Sequence, residues 1–225
     1  MLSIGARTWD TSYYKENFEK KVTQILAKTS TKYKGLLYAR NPRLERLVVL
    51  SDLKEYELLE YFNFSLLNNI KNKQQAITQA QTLYNKNITC YVNTLKTPIY
   101  STDNTLEFDS NQNFIEQVDW GHSLSSSFQV VIESYPDTTA FITEKSMKPF
   151  TMLQPFVVFG SAFTVQNLRD KNFKMFDNVI DHSYDTLTDN AERYHAFSIE
   201  MKRLANLSKK QWSELLYDNL DSLLH

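Results

Sequence analysis

Threonine, glutamate and lysine follow one another at positions 143–145, between a stretch with strand character and a predicted helix start. Thr143 is a suitable N-cap for a helix that begins at Glu144, because its hydroxyl can accept a hydrogen bond from a first-turn N–H. Free N–H groups and the helix dipole attract phosphate to such a terminus. Lys145 would add a full positive charge, and Glu144 could accept hydrogen bonds from ribose hydroxyls. The trio therefore predicts a substrate-binding site for a nucleotide.

The same three residues also have an ordinary structural explanation. A glutamate in the first turn of a helix complements the dipole and stabilises the helix by about 0.3–1 kcal/mol, and the lysine beside it is then simply solvated. From the sequence, both interpretations stay open.

A second group of candidate binding residues lies in the segment "ARNPRLERLVVL", where Arg40, Arg43 and Arg46 surround a strand-to-helix turn. Guanidinium groups match phosphate oxygens well, and Arg43 and Arg46 share one helix face. We expect both to lie near Lys145, although they are distant in sequence. The alternative is a pair of surface arginines bound to Glu45 or Asp52.

Glu133 closes the apolar run "FQVVIE" at 128–133. An acid at the carboxyl end of a strand lies at the edge where open α/β sheets bind ligands. Glu133 is therefore the predicted general base. Two alternatives stay open: Glu133 could bind the ribose of the ligand, or it could be an exposed acid at a strand end without a role in a site.

Other kinds of site are not expected. Cys90 is the single cysteine, and the four histidines show no short ligand spacing, so we predict no metal. Of the four glycines, none forms GxGxxG or GxxxxGK[ST], so side chains and a helix terminus would have to hold any phosphate. No cofactor is predicted.

Composition restricts the class of protein. The 225 residues are 42% hydrophobic and 23% charged, which is typical of a folded domain. A net charge of −1 excludes a global basic field that would gather nucleic acid or anionic lipid. The N-terminus has no signal-peptide pattern, and no apolar run is long enough to span a bilayer. We therefore expect a soluble, cytoplasmic protein without a membrane partner.

Short apolar strands alternate with helices. Strands are predicted near 35–39, 128–133 and 155–159, with a helix over 13–29, a helix after Pro42 and two helices at the C-terminus. Ser161 is the predicted cap of the helix after the third strand, and the phenylalanines at 150, 156, 159, 163, 173 and 176 are predicted core. The fold class is α/β, a mainly parallel Rossmann-like sheet flanked by helices with a helical C-terminus. We assign 1–30 to an N-terminal helical segment and 31–225 to a Rossmann-like nucleotide-sugar-binding domain.

Two segments together resemble a phage and bacterial group of glycosyltransferase-like proteins. The segments are "LLYARNPRLERLVVLSDL" and "FITEKSMKPF" with the following "QPFVVFG" and "LRDKNFKMFDNVIDHSYD". That group is similar to the donor-binding half of fucosyltransferase-type GT-B enzymes. The resemblance implies Glu144 on ribose, Lys145 on diphosphate, and Arg43 or Arg46 as a helper. Asn172 and His182 depart from the usual glycine and glutamate of the group.

The resemblance implies metal-independent transfer of a hexose or pentose from a nucleotide-sugar to a hydroxyl. The acceptor would be a modified DNA base, a protein or a glycan, and a phage-encoded enzyme would work in the host cytoplasm. GT-B enzymes have two Rossmann-like domains, and the acceptor domain here is short or missing. The alternatives are therefore a non-catalytic nucleotide-binding or interaction protein, and a donor-binding subunit that needs a partner chain or a homo-oligomer.

Overall fold

A computed structural model describes residues 11–38, 41–66, 69–95, 99–100, 120–133 and 142–224. Five strands form one sheet in the order β3-β2-β1-β4-β5. Strands β2, β1, β4 and β5 are parallel, and the short β3 pairs antiparallel with β2. Their bounds are β1 Tyr33–Tyr38, β2 Phe62–Leu66, β3 Ile99–Tyr100, β4 Ser126–Ile132 and β5 Phe156–Phe159. The predicted α/β fold with a mainly parallel sheet is confirmed.

Helices connect the strands and close the chain. Two short 3₁₀ helices cover Leu59–Tyr61 and Ser183–Thr186. The α-helices are α1 Thr11–Leu26, α2 Leu44–Glu55, α3 Lys73–Tyr84, α4 Thr89–Thr94, α5 Trp120–Ser125, α6 Glu144–Thr151, α7 Thr164–Arg169, α8 Asn190–Asn206, α9 Lys209–Asp218 and α10 Leu220–Leu223. Helix α1 packs on the main core through Phe18, Val22 and Ile25.

The sheet separates two apolar clusters. Alternate residues of β4 point to opposite faces, so Val130 and Ile132 join the larger cluster whereas Val131 joins the smaller one with Phe156 and Val158. Because helices cover both faces, the strands need apolar residues at successive positions. The residues predicted to be buried in β4 and β5 are buried: Val130, Val131, Ile132, Phe156, Val157 and Val158.

Two predictions for the segment after β5 are wrong. Helix α7 begins at Thr164, and the Ser161 side chain makes no cap because the N–H groups of Val165 and Gln166 bond instead to the carboxylate of Asp185. Phe163 is not a core residue, since 46% of it is exposed. The other five phenylalanines predicted for the core are associated with the two clusters.

The strand order creates a switch point between β1 and β4. From β1 the chain crosses through α2 to β2 on one side, and from β4 it crosses through α6 to β5 on the other. Ligands of open α/β sheets bind in the crevice outside the carboxyl ends of the two strands at such a point. The connections that leave these two strand ends lead to the starts of α2 and α6.

Candidate functional site

Helix α6 begins at Glu144 with Thr143 as its N-cap, as predicted. Thr143 has extended backbone angles, and its Oγ1 accepts a hydrogen bond from the backbone N–H of Lys145 at 3.2 Å. A residue that caps a helix needs this extended geometry so that its side chain can turn back onto the first turn. The sequence therefore located the start of this helix correctly.

Glu133 lies directly beneath the start of α6, and only 2% of it is exposed. Its Oε1 accepts bonds from the Thr143 N–H at 2.9 Å and the Ser146 hydroxyl at 2.6 Å, while Oε2 accepts from the Thr143 hydroxyl at 2.5 Å. The carboxylate thus ties the end of β4 to the first turn of α6. This arrangement favours a positioning role for Glu133 over the predicted role of general base.

Three N–H groups at the start of α6, those of Thr143, Lys145 and Ser146, are already bonded. The N–H of Thr143 donates to Glu133, that of Lys145 to the Thr143 side chain, and that of Ser146 to the Thr143 carbonyl at 3.2 Å. The sequence predicts, in contrast, that such groups are free for a phosphate. A ligand at this helix end therefore meets charged side chains before it meets backbone donors.

Those side chains are Glu144 and Lys145. The Lys145 ammonium lies 3.1 Å from the Thr143 hydroxyl, 3.4 Å from Glu144 and 4.0 Å from Glu133, and a quarter of the side chain is exposed. Partial burial raises the pKa of the Glu144 carboxyl, but the charge of Lys145 and a backbone bond outweigh it and lower the pKa below its usual value. At neutral pH the Glu144 carboxyl is therefore ionised and lies beside the Lys145 side chain.

Arg43 and Arg46 stand at the start of α2, after β1. Arg43 precedes the helix, and Arg46 in its first turn is buried with 5% exposed. Arg46 Nη1 donates to the Asn41 carbonyl at 3.0 Å, whereas its Nε is buried without a hydrogen-bond partner among the described residues. Arg40 lies outside the described residues.

Electrostatics connect Arg46 to the α6 turn. Burial and the charge of Arg43 lower the pKa of the Arg46 guanidinium, while Glu45, Glu133 and Glu144 raise it. Glu133 and Glu144 both follow β4, on the opposite side of the switch point from Arg46. The structure therefore brings Arg46 within electrostatic range of the Thr143–Lys145 turn. Asp52, the other acid considered as an arginine partner, binds Lys86 at 2.5 Å.

Sequence reasoning missed two features. Ser146 supplies the second hydroxyl to Glu133, and its spacing of three residues from Thr143 was the available signal. A cleft of about 570 Å³ also opens away from the switch point, lined by residues that include Arg169, Asp177, His182 and Arg203.

The charged groups of that cleft have partners. Arg169 is paired with Asp177 and Arg203 with Glu200. His182 contacts the Met175 carbonyl and the Tyr184 hydroxyl, and burial lowers its pKa. At the switch point, in contrast, the buried Arg46 Nε has no partner among the described residues, so we place the candidate site there and not in this cleft.

The described residues form neither a metal-binding cluster nor a membrane-spanning helix. Among residues in the described ranges, no three His, Cys, Asp or Glu side chains are grouped to hold a metal. None of the helices described has the length and apolar character needed to cross a bilayer.

No family model, curated protein or solved structure matches the chain significantly. The likeness to glycosyltransferases therefore rests on the motif residues alone.

Proposed function

We propose that this chain is a glycosyltransferase-like protein that binds the diphosphate of a nucleotide-sugar at the β1–β4 switch point. The observation that carries the proposal is Arg46, which is 5% exposed and has an unpartnered Nε among the described residues. Leaving a buried donor unsatisfied costs about 1–3 kcal/mol, so such groups call for an explanation. A phosphate oxygen would supply the missing acceptor.

The neighbouring charges fit the same ligand. Burial and the nearby charge of Arg43 both lower the pKa of Arg46, and the negative charge of a diphosphate would offset both effects. Lys145, held at the start of α6, provides a cation from the other side of the switch point. Glu144 stays ionised and can accept from ribose hydroxyls. During transfer, the cations would stabilise the charge that develops on the departing diphosphate.

A specific observation supports a second candidate function. Both oxygens of Glu133 are engaged by the α6 turn, so we assign it no proton transfer. A donor-binding subunit that takes its general base from a partner chain, or a non-catalytic nucleotide-binding protein, also agrees with this geometry. Turnover of nucleotide-sugar by the isolated chain would favour the enzyme over both.

The test of the diphosphate site is calorimetric titration of the wild type and Arg46→Met with a panel of nucleoside diphosphates. Methionine fills the space of the arginine stem without an unsatisfied donor. We expect affinity to fall about 10- to 150-fold. The free energy of unfolding should change by no more than about 1 kcal/mol, because the bond lost to the Asn41 carbonyl is offset by removal of the unsatisfied Nε. Arg169→Met, which removes an arginine already paired with Asp177, is the control and should not change binding.

Equal affinity of the wild type and Arg46→Met would rule out the diphosphate site. Loss of both binding and stability would mean that Arg46 is a structural residue. Wild type that binds no nucleotide at all would also contradict the proposal.

A further inference from the structure

Phe163 is held in an unfavourable backbone conformation at the carboxyl end of the sheet. It lies between β5 and α7 with φ 66° and ψ 18°, in the left-handed region. Bulky side chains rarely adopt this region, and such strain persists only where the surroundings enforce it. The residue is 46% exposed, so the strain does not serve to bury an aromatic ring.

Hydrogen bonds on both sides fix the conformation. The Phe163 N–H donates to the Asp185 carbonyl at 2.7 Å, and the Phe163 carbonyl accepts from the backbone and side chain of Asn167 at 2.9 and 2.8 Å. The Asp185 carboxylate also accepts hydrogen bonds from the N–H groups of Val165 and Gln166 in the first turn of α7. At the other end of the loop, Arg193 Nε donates to the Gly160 carbonyl at 3.1 Å. The backbone of this loop is therefore hydrogen-bonded at both of its ends.

Three other phenylalanines of this part of the chain pack against one another, one of them buried and two partly buried. Phe150 stacks on Phe173 with ring centres 4.5 Å apart and meets Phe156 edge-on at 5.0 Å. Phe163 belongs to neither apolar cluster of the described chain. Its ring is thus presented to solvent from a strained loop whose backbone is held by hydrogen bonds.

That loop adjoins the candidate site. Strands β4 and β5 are neighbours, and the Glu133 N–H donates to the Phe159 carbonyl at 2.9 Å. A Cβ at Gly160 would lie 3.4 Å from the Glu133 Cβ and 2.8 Å from the Thr164 hydroxyl. Only glycine lets the strand end approach both residues so closely. The Phe163 loop therefore starts against the residue that holds the α6 turn.

We propose that Phe163 is the stacking surface for the nucleobase of the ligand whose diphosphate lies at Lys145 and Arg46. This inference rests on the proposed function. An aromatic face stacks on any nucleobase, so the ring would contribute affinity without selecting the base. Because hydrogen bonds already hold the Phe163 backbone, only the side-chain torsions remain to be ordered on binding, which lowers the entropic cost of stacking.

The experiment titrates the wild type, Phe163→Gly and Phe163→Trp with uridine diphosphate, guanosine diphosphate and inorganic pyrophosphate. Glycine adopts the left-handed conformation without strain, so Phe163→Gly should fold at least as stably as the wild type, as checked by thermal unfolding. We expect Phe163→Gly to bind nucleoside diphosphates about 5- to 150-fold more weakly and pyrophosphate unchanged. Phe163→Trp should retain the affinity for nucleoside diphosphates.

Tyr217→Ala is the matched control, because Tyr217 is another exposed aromatic residue, 42% exposed, on α9. It should leave all three affinities unchanged. If Phe163→Gly binds nucleoside diphosphates as tightly as the wild type, stacking is refuted while the diphosphate site stands. Equal weakening of pyrophosphate and nucleotides also refutes stacking. A wild type that binds pyrophosphate but no nucleotide, or none of the three ligands, refutes both proposals.

Discussion

The starts of α6 and α9 have similar sequences and opposite surroundings. Each follows a hydroxyl residue whose side chain accepts a first-turn N–H, Thr143 for α6 and Ser208 for α9. Each carries a lysine at its second helical position, Lys145 and Lys210. The Lys210 side chain is 85% exposed, whereas that of Lys145 is 25% exposed.

The two helix starts differ in where the second half of the cap comes from. In α9, Gln211 accepts the Ser208 N–H at 2.8 Å, so one turn of chain closes its own capping box. In α6, the acceptor of the Thr143 N–H is Glu133, a residue of the sheet edge. A local box stabilises its helix wherever that helix lies. A long-range cap also fixes the helix relative to the sheet, as a preorganised site requires.

Removal of the long-range acceptor should have the largest effect. Glu133→Ala leaves the buried Ser146 hydroxyl and two partly buried donors of Thr143 without their carboxylate acceptor, and we expect the free energy of unfolding to fall by about 3 kcal/mol. Gln211→Ala, which removes only a local acceptor, should cost about 1 kcal/mol or less. Urea unfolding of both variants measures the difference. Equal losses would mean that the two caps are equivalent.

The lysines should differ in ligand binding. If the switch point binds a diphosphate, Lys145→Ala weakens nucleoside diphosphates about 10- to 150-fold, because a charge-assisted contact is lost. Lys210→Ala removes the same group from the same helical position and should change nothing. Calorimetric titration compares the two. A similar loss in both variants would indicate a nonspecific charge effect, and no loss in either would place the ligand elsewhere.

Removal of the two N-cap hydroxyls should change the free energy of unfolding by amounts that differ less. Ser208→Ala should cost about 1 kcal/mol, a usual value for an N-cap. Thr143→Ala should cost more, about 2 kcal/mol, because the hydroxyl also donates to Glu133 at 2.5 Å. Thr143→Ser keeps both bonds and is the control. Chemical unfolding that ranks Ser208→Ala as the more damaging change would contradict the comparison.

The smallest effect concerns pH. The pKa of Glu144 is lower in the folded protein than its usual value, so its stabilising contribution is present above the unfolded pKa and is lost as pH falls through the folded pKa. Glu144→Gln should therefore be less stable than the wild type at neutral pH, by roughly a few tenths of a kcal/mol for so exposed a group. The difference in the free energy of unfolding between Glu144→Gln and the wild type should disappear in strong acid, where the carboxyl is protonated. If this difference grows on acidification, the pKa of Glu144 is raised in the folded protein and not lowered.

Local sequence predicts much of this fold. Four consecutive apolar residues predicted β5, because a strand covered on both faces needs no polar alternation. Thr143 predicted the start of α6, because capping depends on residues within a single turn. The alternation of strands and helices predicted a parallel sheet, because parallel strands need crossover connections.

Tertiary structure decided how the candidate site is built. Nothing local to Glu133 shows that its carboxylate faces the hydroxyls of Thr143 and Ser146, because the order of strands and the crossing of α6 bring them together. The same holds for Arg46, a residue type usually exposed, which is buried by its place beside the switch point. Phe163 is the reverse case: it is apolar by type but exposed, and its backbone is held by hydrogen bonds that it donates to Asp185 and accepts from Asn167. Residue type and periodicity determine which segments are buried, whereas contacts between distant segments determine which side chains meet and which remain exposed.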